Sequence, residues 1–303
     1  MSRMTGYLHP DYAASLSEFG EPLKLPRSGG WLLRRSIPGA DAFDAMGCYP
    51  LFCCKDWTRL GDDLADVGRG LVSVALIADP FGDHNPSLLC SVFDRVMEYK
   101  THYVVDLQKP FESFMSASHR EHARHALRKL SVEVCEHPAD WLDTWSELYD
   151  HLIQRHSLRG IKAFSRAAFR RQLTIPGLVM FRVGVQGEKV GINLWYVQGE
   201  VAYAHLVALS PIGYELHAAY ALKLAIFDYF EDKVRWLNLG GAAGLDNTAN
   251  DGLAAFKRGW SSETRTAWFC GRILQPERYR EILRQQGLEE GDYFPAYRAG
   301  EFS

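Results

Sequence analysis

The sequence predicts an α/β (α+β) fold in which a mixed sheet is flanked by helices, and three observations support this prediction. Apolar residues between 141 and 153 recur at three- and four-residue spacing, as on an amphipathic helix. Three apolar strand-like segments follow at 178–185, 189–197 and 201–209. A segment that is apolar around most of a helical circumference then separates them from one more apolar strand, VRWLNL.

The first half of the chain gives fewer signals. Its first thirty residues are rich in Pro, Gly and Ser, and we expect an irregular arm there. The segments WLLRRS, LVSVALIA and HYVVDL are predicted strands at 31–36, 71–78 and 102–107. Pro110 is predicted to open a helix that runs to about Lys129.

The second half predicts a regular order of elements. SVEVCEHP is a strand, and helices follow at about 141–153 and 165–173. The three strands after them are joined by two identical VQGE turns, whose glycines supply the positive φ of tight hairpins, so the strands form an antiparallel meander. A buried helix at 214–231, the strand VRWLNL, a short helix at 252–257, the strand TRTAWFCGRIL and a last helix with a polar tail complete the chain.

Length and composition limit the organisation and the class of protein. A chain of 303 residues is long enough for two domains, and we expect an N-terminal subdomain at 1–129, on which the tail 276–303 packs, and a C-terminal subdomain at 130–275. A net charge of -3 provides no overall basic field for nucleic acid. The six cysteines form no C-x-x-C pair or zinc spacing, so we predict no metal site. We also expect no tightly bound cofactor. No apolar run is long enough for a signal peptide or a membrane span, so we expect a cytoplasmic protein without membrane insertion.

The glycine-rich stretch NLGGAAGLDNTANDGLAAFKRGW, at 238–260, is the first candidate site. It fits neither the dinucleotide pattern G-x-G-x-x-G nor the Walker pattern, because Lys257 is followed by Arg258. Lys257 lies on a short helix just after a buried strand, where an ammonium can stabilise an oxyanion or hold a phosphate. A solvated lysine is the alternative interpretation. The neighbouring candidates for substrate binding are Gly240, Gly241, Asp246, Asp251 and Phe256.

A basic helix is the second candidate site. Arg120, Arg124 and Arg128 recur every four residues and form one stripe, which can bind phosphates or can be a solvated basic face. Histidines at 119, 122 and 125 recur every three residues, but no further ligands accompany them, so we predict no metal there.

Three further residues are candidates on the predicted meander and the helix after it. Tyr203 and His205 are two apart on one strand and share a face, and His205 could deprotonate an attacking amine. A hydrogen-bonded core histidine is the alternative for His205. Tyr214 follows the Ser210-Pro211 break and could donate to a substrate.

Taken together, the second half resembles the Fem-type (FemAB-like) peptidyltransferases and their acetyltransferase relatives in the GNAT superfamily of N-acyltransferases. The segment HREHARHALRKLSVEV is similar to that family's H-R-x-x-x-R-K-A helix before a strand, and DGLAAFKRGW is similar to its F-K-x-G-[FW] motif. Between them lie SPIGYELHAAYALKLAIFDYF and VRWLNLGGAAG, and the predicted order of elements from 131 to 274 is that of the GNAT fold. The resemblance covers about residues 111–270 and implies two tandem GNAT-like subdomains with a substrate channel between them.

This resemblance implies an acyltransferase that moves an aminoacyl or acyl group to a primary amine of a small molecule or peptide. The donor is aminoacyl-tRNA or acyl-CoA. The resemblance also implies that Lys257, the lysine of the F-K motif, stabilises charge on the transferred acyl group. Acetyl-CoA-dependent N-acetyltransferases carry a [QR]-x-x-G-x-[GA] loop that holds the CoA pyrophosphate. The stretch 209–216 has one glycine and no arginine, which favours aminoacyl-tRNA and makes tRNA an expected partner. The alternative is a catalytically inactive GNAT-fold module that binds RNA or a phosphorylated ligand through the arginine stripe.

Overall fold

The computed structural model describes residues 4–242 and 252–301. Two compact units make up the chain: a larger unit of Met1–Gly6 with Lys100–Arg265, and a smaller unit of Tyr7–Tyr99 with Thr266–Ser303. This division differs from the predicted boundary at residue 129, because residues 100–129 lie in the larger unit. The tail after 276 lies in the same unit as residues 7–99.

The strands of the larger unit follow a meander with one parallel return. In the order of the sheet they are β5 (Arg95–Asp106, from Lys100 onward), β10 (Trp236–Asn238), β9 (Val201–Leu209), β8 (Glu188–Gln198), β7 (Leu178–Val185) and β6 (Ser131–Cys135). Strands β6 to β9 are antiparallel neighbours, and β10 runs parallel to β9. The glycines of both VQGE turns have positive φ, +88° at Gly187 and +56° at Gly199. The predicted meander and its returning strand are confirmed.

Helices cover both faces of these strands. They are α4 (Ala117–Leu127), α5 (Leu142–His156), α6 (Arg166–Gln172), α7 (Pro211–Glu215), α8 (Ala218–Phe230) and α9 (Gly252–Arg258). α8 packs between α4 and the sheet, and its buried residues share one core with inward residues of β5 and of β7 to β10. α5 and α6 lie on the opposite face, where Tyr196 of β8 donates a hydrogen bond to the Gln172 carbonyl. A mixed α/β sheet flanked by helices is therefore the observed fold class, as predicted.

Two predicted helices are divided in the structure. Residues 111–113 form a 3-10 turn, and α4 begins only at Ala117. The residue before it, Ser116, donates its N–H to the Gly259 carbonyl. The helix predicted over 214–231 is split into α7 and α8, because His217 adopts a left-handed conformation with φ of 57°. That conformation is unfavourable inside a helix for a residue with a side chain.

The smaller unit has its own sheet and helices. Its strands are ordered β1 (Glu21–Lys24), β2 (Trp31–Ser36), β3 (Phe43–Gly47), β4 (Ser73–Ala78) and β11 (Glu263–Ile273, from Thr266 onward). Its helices are α1 (Pro10–Ser15), α2 (Leu60–Val67), α3 (Pro86–Val92) and α10 (Pro276–Gln286). The prediction of an irregular arm over the first thirty residues is wrong, because α1 and β1 lie there. Strand β3 was not predicted.

Candidate active site

The glycine turn after β10 is held by its own polar side chains. The Asn238 side-chain oxygen accepts a hydrogen bond from the Gly240 N–H at 2.9 Å and one from His102 Nδ1 at 3.0 Å. The Gly240 carbonyl accepts from the Tyr103 N–H of β5, and Gly240 has a φ of +78°, which favours glycine. The two predicted glycines thus form a turn anchored to two strands.

Lys257 of α9 reaches this turn, as the sequence suggested. Its Nζ donates to the Gly241 carbonyl at 2.5 Å, and a Cβ added to Gly240 would lie 3.2 Å from the same Nζ. Lys100 donates from the other side, to the Ala242 carbonyl at 3.2 Å. Two ammonium groups therefore bind consecutive carbonyls of one turn.

His102 is the neutral member of this group. The pKa of His102 is lowered to about 4, chiefly by burial and also by the charges of Lys257 and Lys100, while the Asn238 hydrogen bond acts in the opposite direction. Because the Asn238 oxygen only accepts, Nδ1 carries the proton of the neutral ring. The imidazole is uncharged at neutral pH.

The H-R segment of α4 and the F-K-x-G-W segment at the end of α9 meet at His119. Its Nε2 donates to the Phe256 carbonyl at 3.1 Å, and its ring lies 5.3 Å from the Trp260 ring and 5.2 Å from the Tyr220 ring. A Cβ on Gly259 would stand 2.4 Å from His119 Nε2, so only glycine fits beneath the imidazole. This packing fixes α9 and hence the position from which Lys257 extends.

Lys223 of α8 is a buried cation that the sequence reading missed. It is 9% exposed, and its Nζ lies 4.8 Å from the centroid of the Trp195 ring. Burial, the larger cause, and the charge of Lys257 together lower the pKa of Lys223 to about 7. The available signal was a single lysine within the mostly apolar segment AAYALKLAIFDYF, whose one other charged residue is Asp228.

The arginine stripe lies on the open side of α4. Arg124 and Arg128 are exposed, and Arg120 is half-buried with its guanidinium 4.0 Å from Glu112. Arg128 donates to His125 Nδ1 at 2.8 Å. The stripe is thus available to a phosphate-bearing ligand.

Tyr203 and His205 share the face covered by α5 and α6. Tyr203 is the register partner of Asn238, which places it beside the glycine turn. His205 is enclosed by Phe164 and Gln172, with its Nε2 3.2 Å from the Gln172 side-chain oxygen. Burial lowers the pKa of His205 to about 3, so it is a weak base.

The segment after β9 uses its polar groups internally. Ser210 Oγ accepts from the Gly213 N–H at 3.2 Å, and Pro211 has no N–H to offer. A Cβ on Gly213 would lie 2.3 Å from the Val190 carbonyl oxygen, so this glycine serves the packing of α7 on β8. Tyr214 lies beneath the Arg155 guanidinium, at 4.2 Å, and both line a cavity of about 380 Å³.

Three expectations from the sequence concern the aspartates of the glycine-rich stretch, a metal site and a membrane span. Asp246 and Asp251 lie outside the residues that the structure describes. Within residues 4–242 and 252–301, no three His, Cys, Asp or Glu side chains are grouped to hold a metal ion. In the same part of the chain, no helix has the length and apolar character to cross a membrane.

Comparison with known proteins identifies the domain that carries this site. Residues 116–258 match the family of acetyltransferase (GNAT) domains, from the start of α4 to the residue after Lys257. None of the curated proteins matches the chain by sequence. The family assignment agrees with the predicted resemblance.

Solved structures share the fold along most of the chain. The C-terminal domain (DUF2156) of a putative lysylphosphatidylglycerol synthetase from Agrobacterium fabrum is 17% identical, with a TM-score of 0.65 and 93% of each chain covered. FemX is 15% identical, with a TM-score of 0.65 over 93% of this chain and 96% of that one. L-PGS from Bacillus licheniformis is 14% identical, with a TM-score of 0.59 over 96% and 100% of the two chains. At these identities the likeness concerns the fold.

Proposed function

We propose that this protein, an acyltransferase whose residues 116–258 are a GNAT acetyltransferase domain, moves an aminoacyl group from aminoacyl-tRNA to a primary amine. The acceptor is a small molecule or a peptide. Acyl-CoA is the competing donor.

The position of Lys257 carries this proposal. When an amine attacks an ester carbonyl, negative charge develops on the carbonyl oxygen, and a positioned ammonium stabilises that charge. Lys257 is held at the end of β10 by the Gly241 carbonyl, with the cationic Lys100 and the neutral His102 close by. This environment favours an oxyanion over a neutral carbonyl.

The segment between β9 and α7 supports the choice of donor. A pyrophosphate needs free N–H groups at a helix start, but here Pro211 has none and the Gly213 N–H is bonded to Ser210 Oγ. Two solved structures of the same fold are a domain of a putative lysylphosphatidylglycerol synthetase, an enzyme named for a lysyl product, and FemX. Both points favour an aminoacyl donor.

The exposure of the arginine stripe supports a tRNA contact on α4. Arg120, Arg124 and Arg128 line the open side of α4, whose other side packs through His119 against α9. Phosphates of the acceptor stem bound there would bring the charged 3′ end toward Lys257. This contact should weaken steeply as salt concentration rises.

The donor can be tested with hydroxylamine as a surrogate acceptor. The purified protein is supplied either with total tRNA charged with radiolabelled amino acids or with a set of acyl-CoA thioesters, and hydroxamate formation is measured. We expect transfer from charged tRNA that ribonuclease treatment abolishes. Transfer that survives ribonuclease and requires acyl-CoA would refute the tRNA donor, and binding of RNA without any transfer would support the inactive binding module instead.

The role of Lys257 can be tested by substitution. Lys257→Ala should lower the transfer rate about 10²- to 10³-fold, as loss of one oxyanion donor does. Arg258→Ala, which removes the neighbouring exposed cation, is the matched control and should transfer at the wild-type rate. Equal rates for both variants would exclude Lys257 from the chemistry.

A further inference from the structure

The acyl-transfer reaction needs a group that accepts the proton of the attacking amine, and the larger unit contains one that has no other evident use. We propose that the Lys223 amine, enclosed near Lys257 and over the Trp195 ring with no carboxylate partner among the described residues, is this proton acceptor. The inference rests on the proposed function and assigns a residue to it.

The first argument is the isolation of the Lys223 side chain. Among the described residues, no hydrogen-bond acceptor and no acidic group is found for it, and its Nζ lies 4.8 Å from the centroid of the Trp195 ring. The indole N–H of Trp195 is also buried without a partner in the described part of the chain. A buried ammonium without a counter-ion is costly, and a lysine so placed loses its proton readily.

The second argument is the set of charges around it. The charge that acts on Lys223 is that of Lys257 on α9, and like charges disfavour double protonation. From α4, His119 and His122 contact Tyr220, three residues earlier on α8. Glu133 of β6 and Arg182 of β7 pair with each other at 3.4 Å, and neither is among the charges that act on Lys223.

The balance of these effects suits a base that works near neutral pH. The Trp195 ring favours the ammonium, whereas burial and Lys257 favour the amine. Burial and the Lys257 charge lower the pKa of Lys223 to about 7, from its ordinary value of about 10.5. A proton acceptor is most efficient when its pKa lies near the working pH. His205, the other candidate base, has a pKa lowered to about 3 and a hydrogen bond to Gln172.

The proposed step is balanced in atoms and charge. The acceptor nitrogen forms a bond to the carbonyl carbon of the donor ester, and the carbonyl oxygen becomes an oxyanion facing the Lys257 ammonium. Before the attack, the acceptor nitrogen, which is an ammonium at neutral pH, gives one proton to the neutral Lys223 amine, and the proton that it loses after the attack goes to solvent. When the intermediate collapses, the C–O bond to the leaving oxygen breaks, and the Lys223 ammonium returns the proton to that oxygen.

One test measures the protonation of Lys223 without any substrate. The chain has ten lysines, so protein labelled with ¹³C at lysine Cε gives few NMR signals, and Lys223→Met identifies the signal of interest. We expect that signal to titrate near pH 7, and to move to higher pH in Lys257→Met because a like charge has been removed. Titration together with the surface lysines, near the ordinary value of about 10.4, would overturn the proposal.

A second test separates proton transfer from structure. Transfer from charged tRNA is measured in a single turnover with two probes: methylamine, which is protonated at neutral pH, and hydroxylamine, which is not. Lys223→Met should slow the reaction with methylamine about 10²-fold or more and the reaction with hydroxylamine far less. Lys233→Met, which removes an exposed lysine beyond the end of α8, is the matched control and should behave as wild type.

The outcomes distinguish the two proposals. If wild type transfers nothing to either probe, the acyl-transfer proposal fails, and the role of Lys223 fails with it. If wild type transfers and Lys223→Met is equally fast, or is equally slow with both probes, only the proton-acceptor role fails. Selective loss with methylamine supports both.

Discussion

At the residue scale, the feature that organises the site is the contact between one imidazole and one glycine. His119 donates to the Phe256 carbonyl, and its ring fills the space beside Gly259 that a Cβ would otherwise take. The H-R motif and the F-K-x-G-W motif are therefore two halves of one contact, although about 137 residues separate His119 from Phe256. Lys257 is positioned because its neighbours on both sides are fixed.

This contact predicts a specific coupling between two substitutions. Gly259→Ala should lower the free energy of unfolding by about 1 to 3 kcal/mol, because the new methyl group overlaps the His119 ring. In the His119→Ala background the same substitution should cost much less, because the obstructing ring is gone. Urea denaturation of the four proteins gives the coupling energy.

The control for this pair is Gly252→Ala, where an added Cβ meets nothing within 4 Å. It should leave the free energy of unfolding nearly unchanged. Additive effects of Gly259→Ala and His119→Ala would show that the two side chains do not share this space.

The sequence predicted some of these residues and missed others for physical reasons. Lys257 was found because it follows a strand and a glycine turn, which is a local pattern. His102 and Lys100 were missed because they lie on β5, and only the pairing of β5 with β10 brings them beside Asn238 and Ala242. Tertiary neighbours of this kind leave no local signal.

At the element scale, α8 is a buried apolar helix that nevertheless carries a lysine. Its apolar circumference was correctly taken to mean a buried helix, and the structure places it between α4 and the sheet. A lysine in such a helix must lose solvation that nothing nearby replaces. The fold accepts this cost at Lys223, as proteins do where chemistry requires a perturbed group.

Replacing Lys223 by an apolar residue should raise the free energy of unfolding by an amount that depends on pH. Because the pKa of Lys223 is lowered to about 7 in the folded state, the folded chain binds fewer protons than the unfolded chain between pH 7 and about 10.5. The free energy of unfolding of the wild type therefore rises with pH through that range. Below pH 7 the burial of the Lys223 ammonium destabilises the folded state to its full extent.

Accordingly, Lys223→Met should raise the free energy of unfolding by roughly 2 to 4 kcal/mol at pH 6.5, and the gain should shrink as pH approaches 10.5. Urea denaturation of both proteins at pH 6.5, 8.5 and 10 measures it. Lys233→Met should show no such gain at any pH, since that lysine is exposed. A gain that is constant with pH would mean that Lys223 is not the titrating group.

At the scale of the whole chain, the larger unit was more predictable than the smaller one. The meander and the helices around it follow local periodicity and paired turns, so their order could be derived from the sequence. In the smaller unit, β3 carries a fully buried aspartate, Asp44, in a segment of only five residues, FDAMG. Its partner lies 254 residues further along the chain, where no local pattern could indicate it.

That partner is Arg298, which joins the C-terminal segment of the smaller unit to strands β2 and β3. Its guanidinium donates to both carboxylate oxygens of Asp44, at 2.5 and 2.8 Å, and to the Ser36 carbonyl at 2.7 Å. Arg35 lies 3.5 Å from the same carboxylate, and Glu301 pairs with Arg35. A charge pair with this geometry is strongly destabilising to break, since the remaining carboxylate stays buried.

Arg298→Ala should therefore lower the free energy of unfolding by about 3 to 5 kcal/mol, measured by urea denaturation. Arg298→Lys should recover only part of this loss, because an ammonium cannot bind both oxygens of Asp44 in the planar geometry of a guanidinium. Arg284→Ala, an exposed arginine of α10, is the matched control and should stay within about 0.5 kcal/mol of wild type. If Arg298→Ala is as stable as that control, the C-terminal segment does not stabilise the unit through Asp44.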